Sequence, residues 1–369
     1  MTNDISLRSE PTGDWNELAV VRRGGHVYQS SDWAAHRAER GWMPHFVVAG
    51  DHRVLALTRP WPLLGGASAY LPRGPAPTVD TGALGSLLWD VTRGLAAAGI
   101  DVVATDAEVR ADAEAWRTWL RRAGFRAIEE IQPSRHRVTV PLDGIDEPGA
   151  LSNVAKSTRQ RIRKAEQQHV TVVRHDAAGE GQAGEGFAAP LEPTDEALDR
   201  FYDLLLETGE RRDFSFGPRR DFVSWWRRAH RAGHLVYLEA RDASPGGEPL
   251  AGLLLYRHGG RLSTVHSGDH VASRRSHPGA LHLLRWRAIQ LAIREGCGEM
   301  DLGGVDVPGA RRQPLEGEPM HGLLQHKLSF GGQWLELAGA HERVIRPNRY
   351  RAGRILAAAG RRLPAALRR

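Results

Sequence analysis

Lysine is the residue type in this chain that asks for an explanation. The 369 residues include 50 lysines and arginines, and the lysines among them are only Lys156, Lys164 and Lys327. Arginine fills the generic cationic positions, so a lysine marks a place where a compact ammonium on a flexible stem differs from a planar guanidinium. Lys327 lies in "MHGLLQHKLSFGGQW", between a leucine-bearing run and a Phe-Gly-Gly turn. Lys156 and Lys164 belong to "KSTRQRIRKAEQQH", where Lys156, Arg159, Arg163 and Lys164 recur at helical spacing. That spacing makes one basic face, either a receiver of phosphates or a solvated helix surface. The C-terminal "HERVIRPNRYRAGRILAAAGRRLPAALRR" interleaves arginine with Ile355, Leu356, Leu363 and Leu367. Such a helix suits an anionic surface or a phosphate track, or packs by its apolar stripe.

Several common chemistries find no support. There is no G-x-x-x-x-G-K-[ST], no strand-linked G-x-G-x-x-G, no H-E-x-x-H and no G-x-S-x-G in the sequence. The 17 histidines are scattered without metal-ligand spacing, and Asp301 and Asp306 of "DLGGVD" fit a strand-end turn. The single cysteine, Cys297, excludes an intrachain disulfide and points to a reducing cytoplasm. No apolar run is long enough to span a membrane, and "MTNDISLRSEPTGDW" carries no basic-then-apolar signal pattern. The formal charge of +6 and pI near 9.9 fit an anionic partner, although arginine-rich coding raises both without one.

The elements that must position these residues read as mixed α/β. "SSDWAAHRAERGW" is helical, and "HFVVAG" and "RVLALTR" form a hairpin around "GDH". "DTGALGSLLWDVTRGLAAAG" is a helix with Leu84, Leu87, Leu88, Val91 and Leu95 on one face, followed by the strand "IDVVATD". "RHRVTVPLD" closes the first half as a strand. The second half repeats the order. Two helices precede the strands "HLVYLEAR", "PLAGLLLYRHG" and "RLSTVHSG", then the long helix "PGALHLLRWRAIQLAIREG" and the short strand "EMDLGG". The repeat of pattern predicts two similar domains, residues 1–150 and 151–340, then a tail helix over 341–369. The second domain carries a basic helix at 152–168 and a flexible Gly/Ala/Glu loop at 176–194.

A strand-strand-helix-strand unit whose helix starts after a loop suggests an acyltransferase of the GNAT type. Coenzyme A enzymes of that type carry Q/R-x-x-G-x-G/A, whose backbone amides grip a pyrophosphate. Here the place reads "RSHPGA", and Pro278 removes a donor where the first glycine belongs. Coenzyme A is disfavoured as donor.

Five stretches then occur in one order: "HVYQSSDWAAHRAERGW", "AYLPRGPAP", "KSTRQRIRKAEQQHVTV", "LHLLRWRAIQLAIREGCGEMDLGGVD" and "GLLQHKLSFGG". Over Val27 to Trp334 the chain resembles the Fem family of peptidyltransferases, in a form without the long helical arm. The resemblance implies tandem GNAT-like domains and transfer of an amino acid from aminoacyl-tRNA onto the stem peptide of a peptidoglycan precursor. Aminoacyl-tRNA is then the co-substrate and no further cofactor is implied.

The same resemblance assigns roles. Lys327 matches the lysine of G-L-x-x-F-K-x-x-F-G-G, with His326 in place of the aromatic, and implies a charge beside the oxyanion or tRNA phosphate. The plainer alternative is a strand-end lysine in a surface ion pair. Arg37 matches a contact to the nucleotide-sugar diphosphate, and Arg73 is a second phosphate candidate. Asp106 matches an acidic residue that orients the incoming amine, with a helix N-cap as the alternative. Trp33 and Trp42 read as core. His266 stands where the family has a substrate-binding tyrosine, and Asp221 falls near another such position. Lys156, Arg159, Arg163 and Lys164 would meet tRNA. The cysteine usage and the arginine-rich tail, apart from the resemblance, predict a cytoplasmic location with peripheral contact at the inner membrane face. Two other readings remain: a coenzyme A-dependent N-acyltransferase acting on a small amine, and a non-catalytic RNA- or membrane-surface-binding protein.

Overall fold

The computed structural model describes residues 5–77, 80–132, 135–177, 184–212, 216–243, 247–305 and 312–362. The chain divides into two compact units, Met1–Arg135 with Glu336–Arg369, and His136–Leu335. The first unit begins with β1 (Ile5–Arg8) and α1 (Ser31–Ala38), then a meander of β2 (Met43–Ala49), β3 (His52–Pro60) and β4 (Ala67–Leu71). It continues with α2 (Thr81–Ala97), β5 (Ile100–Thr105), α3 (Glu114–Arg122) and β6 (Arg126–Ala127).

The second unit opens with β7 (His136–Pro141), α4 (Glu147–Asn153), α5 (Lys156–Gln167) and β8 (Thr171–Asp176). Two helices follow, α6 (Thr194–Arg212) and α7 (Arg219–Arg231), then a meander of β9 (Leu235–Arg241), β10 (Pro249–His258) and β11 (Arg261–Asp269). The unit ends through α8 (Val271–Ser276), α9 (Ala280–Arg294), β12 (Glu299–Asp301), α10 (His321–Leu328) and β13 (Gln333–Glu336). The chain then returns to the first unit with β14 (His341–Val344) and α11 (Pro347–Arg362).

Each unit holds a seven-stranded sheet, in the orders β1-β2-β3-β4-β5-β14-β6 and β8-β9-β10-β11-β12-β7-β13. The two match position by position. In each, an antiparallel meander passes through a helix to a strand that pairs in parallel with the meander's last strand, β4 with β5 and β11 with β12. The sixth strand pairs antiparallel with that parallel strand, β14 on β5 and β7 on β12.

Those pairings correct the predicted boundaries. "RHRVTVPLD" supplies β7 of the second sheet rather than the end of the first domain, so the division falls after Arg135 and not after 150. The segment from 341 is not a separate tail: β14 lies between β5 and β6, and Tyr350 of α11 is buried. Strand pairing is a long-range property, and a run of alternating residues does not say which sheet it joins. Loop 176–194 is also corrected in its described part, where Phe187 is in the core and the Ala188 amide donates to Val172 O at 2.8 Å. Residues 178–183 of that loop, Asp306, and 363–369 of the predicted tail helix lie outside the described residues.

Packing follows the apolar periodicity. Leu84, Leu87, Leu88, Val91 and Leu95 of α2 bury one face against Val54, Ala69 and Val103 of the first sheet. Each such side chain contributes about 1.5–3 kcal/mol relative to exposure. Gly85 lets α3 come close, since a Cβ there would sit 2.6 Å from the Trp119 ring. In the second unit α9 is buried on most sides, with Leu283, Leu284, Ile289 and Leu291 against Leu253, Leu255 and Met300. Among the described residues no helix is long and apolar enough to cross a membrane.

Candidate functional site

The three-residue β12 pairs with only the first three residues of β11, Arg261 to Ser263. Beyond Asp301 the strands part, and Gly303 takes a left-handed φ of 82° that a side chain would make costly. Lys327 reaches into this fork. It sits in the last turn of α10 rather than at a strand end, is 4% exposed, and donates from Nζ to Gly304 O at 3.0 Å. A Cβ at Gly303 would lie 3.3 Å from that nitrogen and 3.1 Å from Thr264 O, so a side chain there would crowd the amine. Both features separate Lys327 from a surface ion-pair lysine.

The residue before it takes the place of an aromatic. The His326 ring lies edge-on to His282 of α9, with centroids 4.6 Å apart, and edge-on to Phe330 at 5.3 Å. Burial, with Arg285, His282, Lys327 and Arg161 nearby, pulls the His326 pKa down to about 2. Burial likewise holds His282 at about 4. Both rings are neutral at physiological pH and act as packing groups around a positive locality. Arg285, 1% exposed, anchors that locality through Nη2 to Ser267 Oγ at 3.2 Å. Sequence reading passed over Arg285 and His282, although a charge inside the apolar run "LHLLRWRAIQLA" was a legible signal.

His266 lies on β11 beside an irregularity in the ladder, where Leu254 faces His266 but Leu255 faces Thr264. The extra residue re-aims the strand locally. The His266 ring is surrounded edge-on by Phe216 (5.6 Å), Phe222 (5.8 Å) and Trp226 (5.7 Å). Burial among these rings lowers its pKa to about 4, so it too is a neutral, aromatic-like group. Asp221 stands in the first turn of α7, next to Phe222 in sequence.

In the first unit the acidic candidate lies just past the end of β5. Asp106 is 1% exposed, accepting from the Arg73 amide at 2.6 Å and from Tyr70 Oη at 2.9 Å. It does not cap a helix, since α3 begins eight residues on with Ala113 at its N-cap position. The Arg73 guanidinium faces the same carboxylate at 3.6 Å, and Gln132 Nε2 donates to Tyr70 Oη at 2.9 Å. Burial raises the Asp106 pKa even against Arg73 and these hydrogen bonds. The Tyr70–Gln132 part of this network was not read from sequence.

Arg37 closes α1. Its guanidinium lies 5.4 Å from the Trp33 ring and 5.2 Å from the Trp42 ring, while Arg59 lies 4.7 Å from Trp42. The two tryptophans are partly buried and pack beside the core as expected, and they also flank this cation. Burial and the nearby Arg59 and Arg40 push the Arg37 pKa below the ordinary arginine value. Among the described residues its Nε has no hydrogen-bond partner. Convergent cations with aromatic walls form a place for an anion.

The basic helix α5 exposes Lys156, Arg163 and Lys164, whereas Thr158, Ile162 and Ala165 face the core. Arg159 departs from the face: its Nη1 donates to Val154 O at 2.5 Å and Ser152 O at 3.3 Å. It serves the carbonyl end of α4, where the helix dipole favours a cation. Gly279 brings α5 onto the start of α9, a Cβ there falling 2.2 Å from Arg161 O. In that same turn the His277 and Ala280 amides already donate to Ser273 O and His277 O. Among the described residues no group of His, Cys, Asp and Glu is arranged for a metal.

Comparison with known proteins agrees with this architecture. The family described as acetyltransferase (GNAT) domain matches residues 152–311. No curated protein matches the chain. Among solved structures, FemX is similar with a TM-score of 0.75 and 17% identity, over 94% of this chain and 99% of that one. A conserved protein of unknown function from Bacteroides thetaiotaomicron gives a TM-score of 0.56 at 13% identity, over 93% and 100%. L-PGS from Bacillus licheniformis gives 0.53 at 12% identity, over 96% and 97%. The fold is a tandem of GNAT-like units of the FemX kind.

Proposed function

We propose that this chain is an acyltransferase that moves an amino acid from aminoacyl-tRNA to the amine of a peptidoglycan-precursor stem peptide. The observation that carries the reading is Lys327, the buried ammonium at the fork of β11 and β12 in a FemX-like fold. The acceptor nitrogen attacks the ester carbonyl and forms the new C–N bond. The C–O bond to the ribose breaks, its electron pair leaves with the ribose oxygen, and the amine proton passes to that oxygen. The ester is already activated, so no protein nucleophile is required. Lys327 supplies positive charge where the carbonyl oxygen becomes an oxyanion.

The other residues divide by chemistry. Arg37, with Arg40 and Arg59, suits the diphosphate of a nucleotide- or lipid-linked precursor. Asp106 holds Tyr70 and Arg73 in place, and in this reading the group orients the acceptor. His266 and its aromatic neighbours line the substrate of the second unit. Lys156, Arg163 and Lys164 offer charge to tRNA phosphates, with Arg159 supporting the preceding helix. The protein acts in the cytoplasm with no cofactor beyond the tRNA co-substrate. Coenzyme A is disfavoured, because the turn that would grip its pyrophosphate contains Pro278, which has no amide hydrogen, bonds its His277 and Ala280 amides internally and lies against α5.

The test is incubation of the protein with a mixture of charged tRNAs and candidate precursors, followed by mass measurement of the precursors. The expected product is heavier by one aminoacyl residue, and ribonuclease abolishes it. Acyl transfer from acetyl-CoA that survives ribonuclease, with none from charged tRNA, overturns the reading.

A further inference from the structure

One groove of the first unit takes no part in that chemistry. Glu342 of β14 stands opposite Arg126 of β6 and forms an ion pair with it at 2.6 Å. Over this pair α11 forms a groove of about 610 Å³ lined by Arg126, Tyr350, Arg351, Arg354 and Ile355, with Val344 and Pro347 as further apolar wall. Tyr350 Oη donates to Glu342 at 2.8 Å and accepts from Arg354 Nη1 at 3.1 Å. Both Arg126 and Arg354 also lie over the Tyr350 ring, at 5.8 and 5.6 Å. The aromatic floor thus holds two guanidinium groups at a set spacing.

Charge and shape together define the occupant. Arg126, Arg351 and Arg354 line the groove, Glu342 is paired with Arg126, and among the described residues no ion pair holds Arg351 or Arg354. The groove is therefore positive and calls for an anion. Beside it Ile355 is 69% exposed, one helical turn from Arg351. A nucleic-acid backbone offers phosphates but little apolar surface beyond its sugars to cover that side chain. An anionic bilayer offers both, with phosphates at headgroup level and acyl chains just beneath.

We propose that this groove docks the protein on an anionic phospholipid surface, Arg351 and Arg354 meeting a headgroup phosphodiester while Ile355 enters the acyl boundary. The proposal does not depend on the transfer reaction, since none of these residues belongs to the transfer sites; it gives the membrane contact expected of the arginine-rich tail a groove and named residues.

The test is co-sedimentation of the intact protein with vesicles of phosphatidylcholine alone and of phosphatidylcholine mixed with phosphatidylglycerol. Binding is expected only to the mixed vesicles and should weaken with salt. The double variant Arg351→Glu/Arg354→Glu should lower partitioning by at least about thirtyfold. Ile355→Ser should lower it by roughly tenfold with the salt dependence retained. Arg8→Glu/Arg22→Glu carries the same charge change on exposed residues, Arg8 on the strand at the opposite edge of the sheet, and should keep most of the binding. All substituted side chains are exposed, and matching urea midpoints verify that each variant is folded. Equal losses in both double variants, or no loss in Ile355→Ser, overturn the proposal. So does loss of binding to a tRNA-length RNA in Arg351→Glu/Arg354→Glu with vesicle binding unchanged, which would assign the groove to nucleic acid.

Discussion

Replacing Lys327 by methionine separates a catalytic charge from a structural one. Methionine keeps the length and most of the apolar stem while removing the ammonium. On the folded side, the loss leaves Gly304 O without its 3.0 Å donor, a cost of about 1–3 kcal/mol. Against that stands relief of the desolvation of a cation only 4% exposed, so the net stability change is small. On the catalytic side, removing one positive group from a developing oxyanion costs about 2–4 kcal/mol, which is about thirty- to a thousandfold in turnover. The expected result is therefore a large fall in kcat, a modest change in KM for the precursor, and a urea midpoint near that of the parent. Lys327→Arg should not restore activity, because a planar guanidinium on a longer side chain does not place its charge where the compact ammonium does. The assay is single-turnover transfer from charged tRNA, read by precursor mass. An equal fall in Lys327→Met and in the exposed Arg163→Met refutes the assignment, and so does full activity in Lys327→Arg.

Three further outcomes follow from the geometry. The chain truncated after Leu335 loses β14 and α11, so the first unit should unfold at lower urea while the second keeps its own transition; a single unshifted transition would contradict the sheet order. His175, His266 and His282 have pKa values lowered to about 4, and His326 to about 2. Their folded pKa values lie below the unfolded value near 6.5, so the unfolded chain binds protons first as pH falls. Stability is then complete above about pH 6.5 and declines toward pH 4, by up to about 1.4 kcal/mol per pH unit for each histidine. Urea midpoints followed by tryptophan fluorescence should fall over that window, with a shallower slope in His266→Phe; a flat profile counts against buried neutral rings. Arg159→Gln should cost about 1 kcal/mol of stability and leave the salt dependence of RNA binding unchanged, whereas Arg163→Gln should weaken that dependence; identical effects of the two would place both on one open face.

The sequence showed the elements better than their assembly. The spacing of Leu84, Leu87, Leu88, Val91 and Leu95 foretold α2 and its buried face, because helical periodicity is a local property. The strand "RHRVTVPLD" was legible as a strand but not as a member of the second sheet, since its pairing with β12 spans a distance that no local pattern encodes. Arg159 and Arg163 look alike in the sequence, and only the carbonyl end of α4 distinguishes them. Lys327 stood out because the chain uses so little lysine, and its burial agrees with that signal. Arg285 was hidden by the same bias in reverse, one arginine among many whose depth inside α9 gave it meaning.

The two candidate clusters share a topological position that the fold itself provides. In the first sheet β4 and β5 run parallel and end together at Leu71 and Thr105, and immediately beyond them Asp106 clasps the Arg73 amide. In the second, β11 and β12 run parallel until Ser263 and Asp301, and immediately beyond them Lys327 reaches Gly304. Where parallel strands part at their carboxyl ends, backbone groups lose their ladder partners and a gap opens that a side chain or substrate can fill. The repeated unit thus makes the same opening twice. One copy fills it with a buried acid held by tyrosine and arginine, and the other with a buried ammonium. The duplicated scaffold therefore carries an acid at one opening and an amine at the equivalent one, and the two openings differ in the groups they can hold. Asp106 and Lys327 thus occupy equivalent places in the two sheets. Each is the side chain that gives its own fork a chemistry the other lacks.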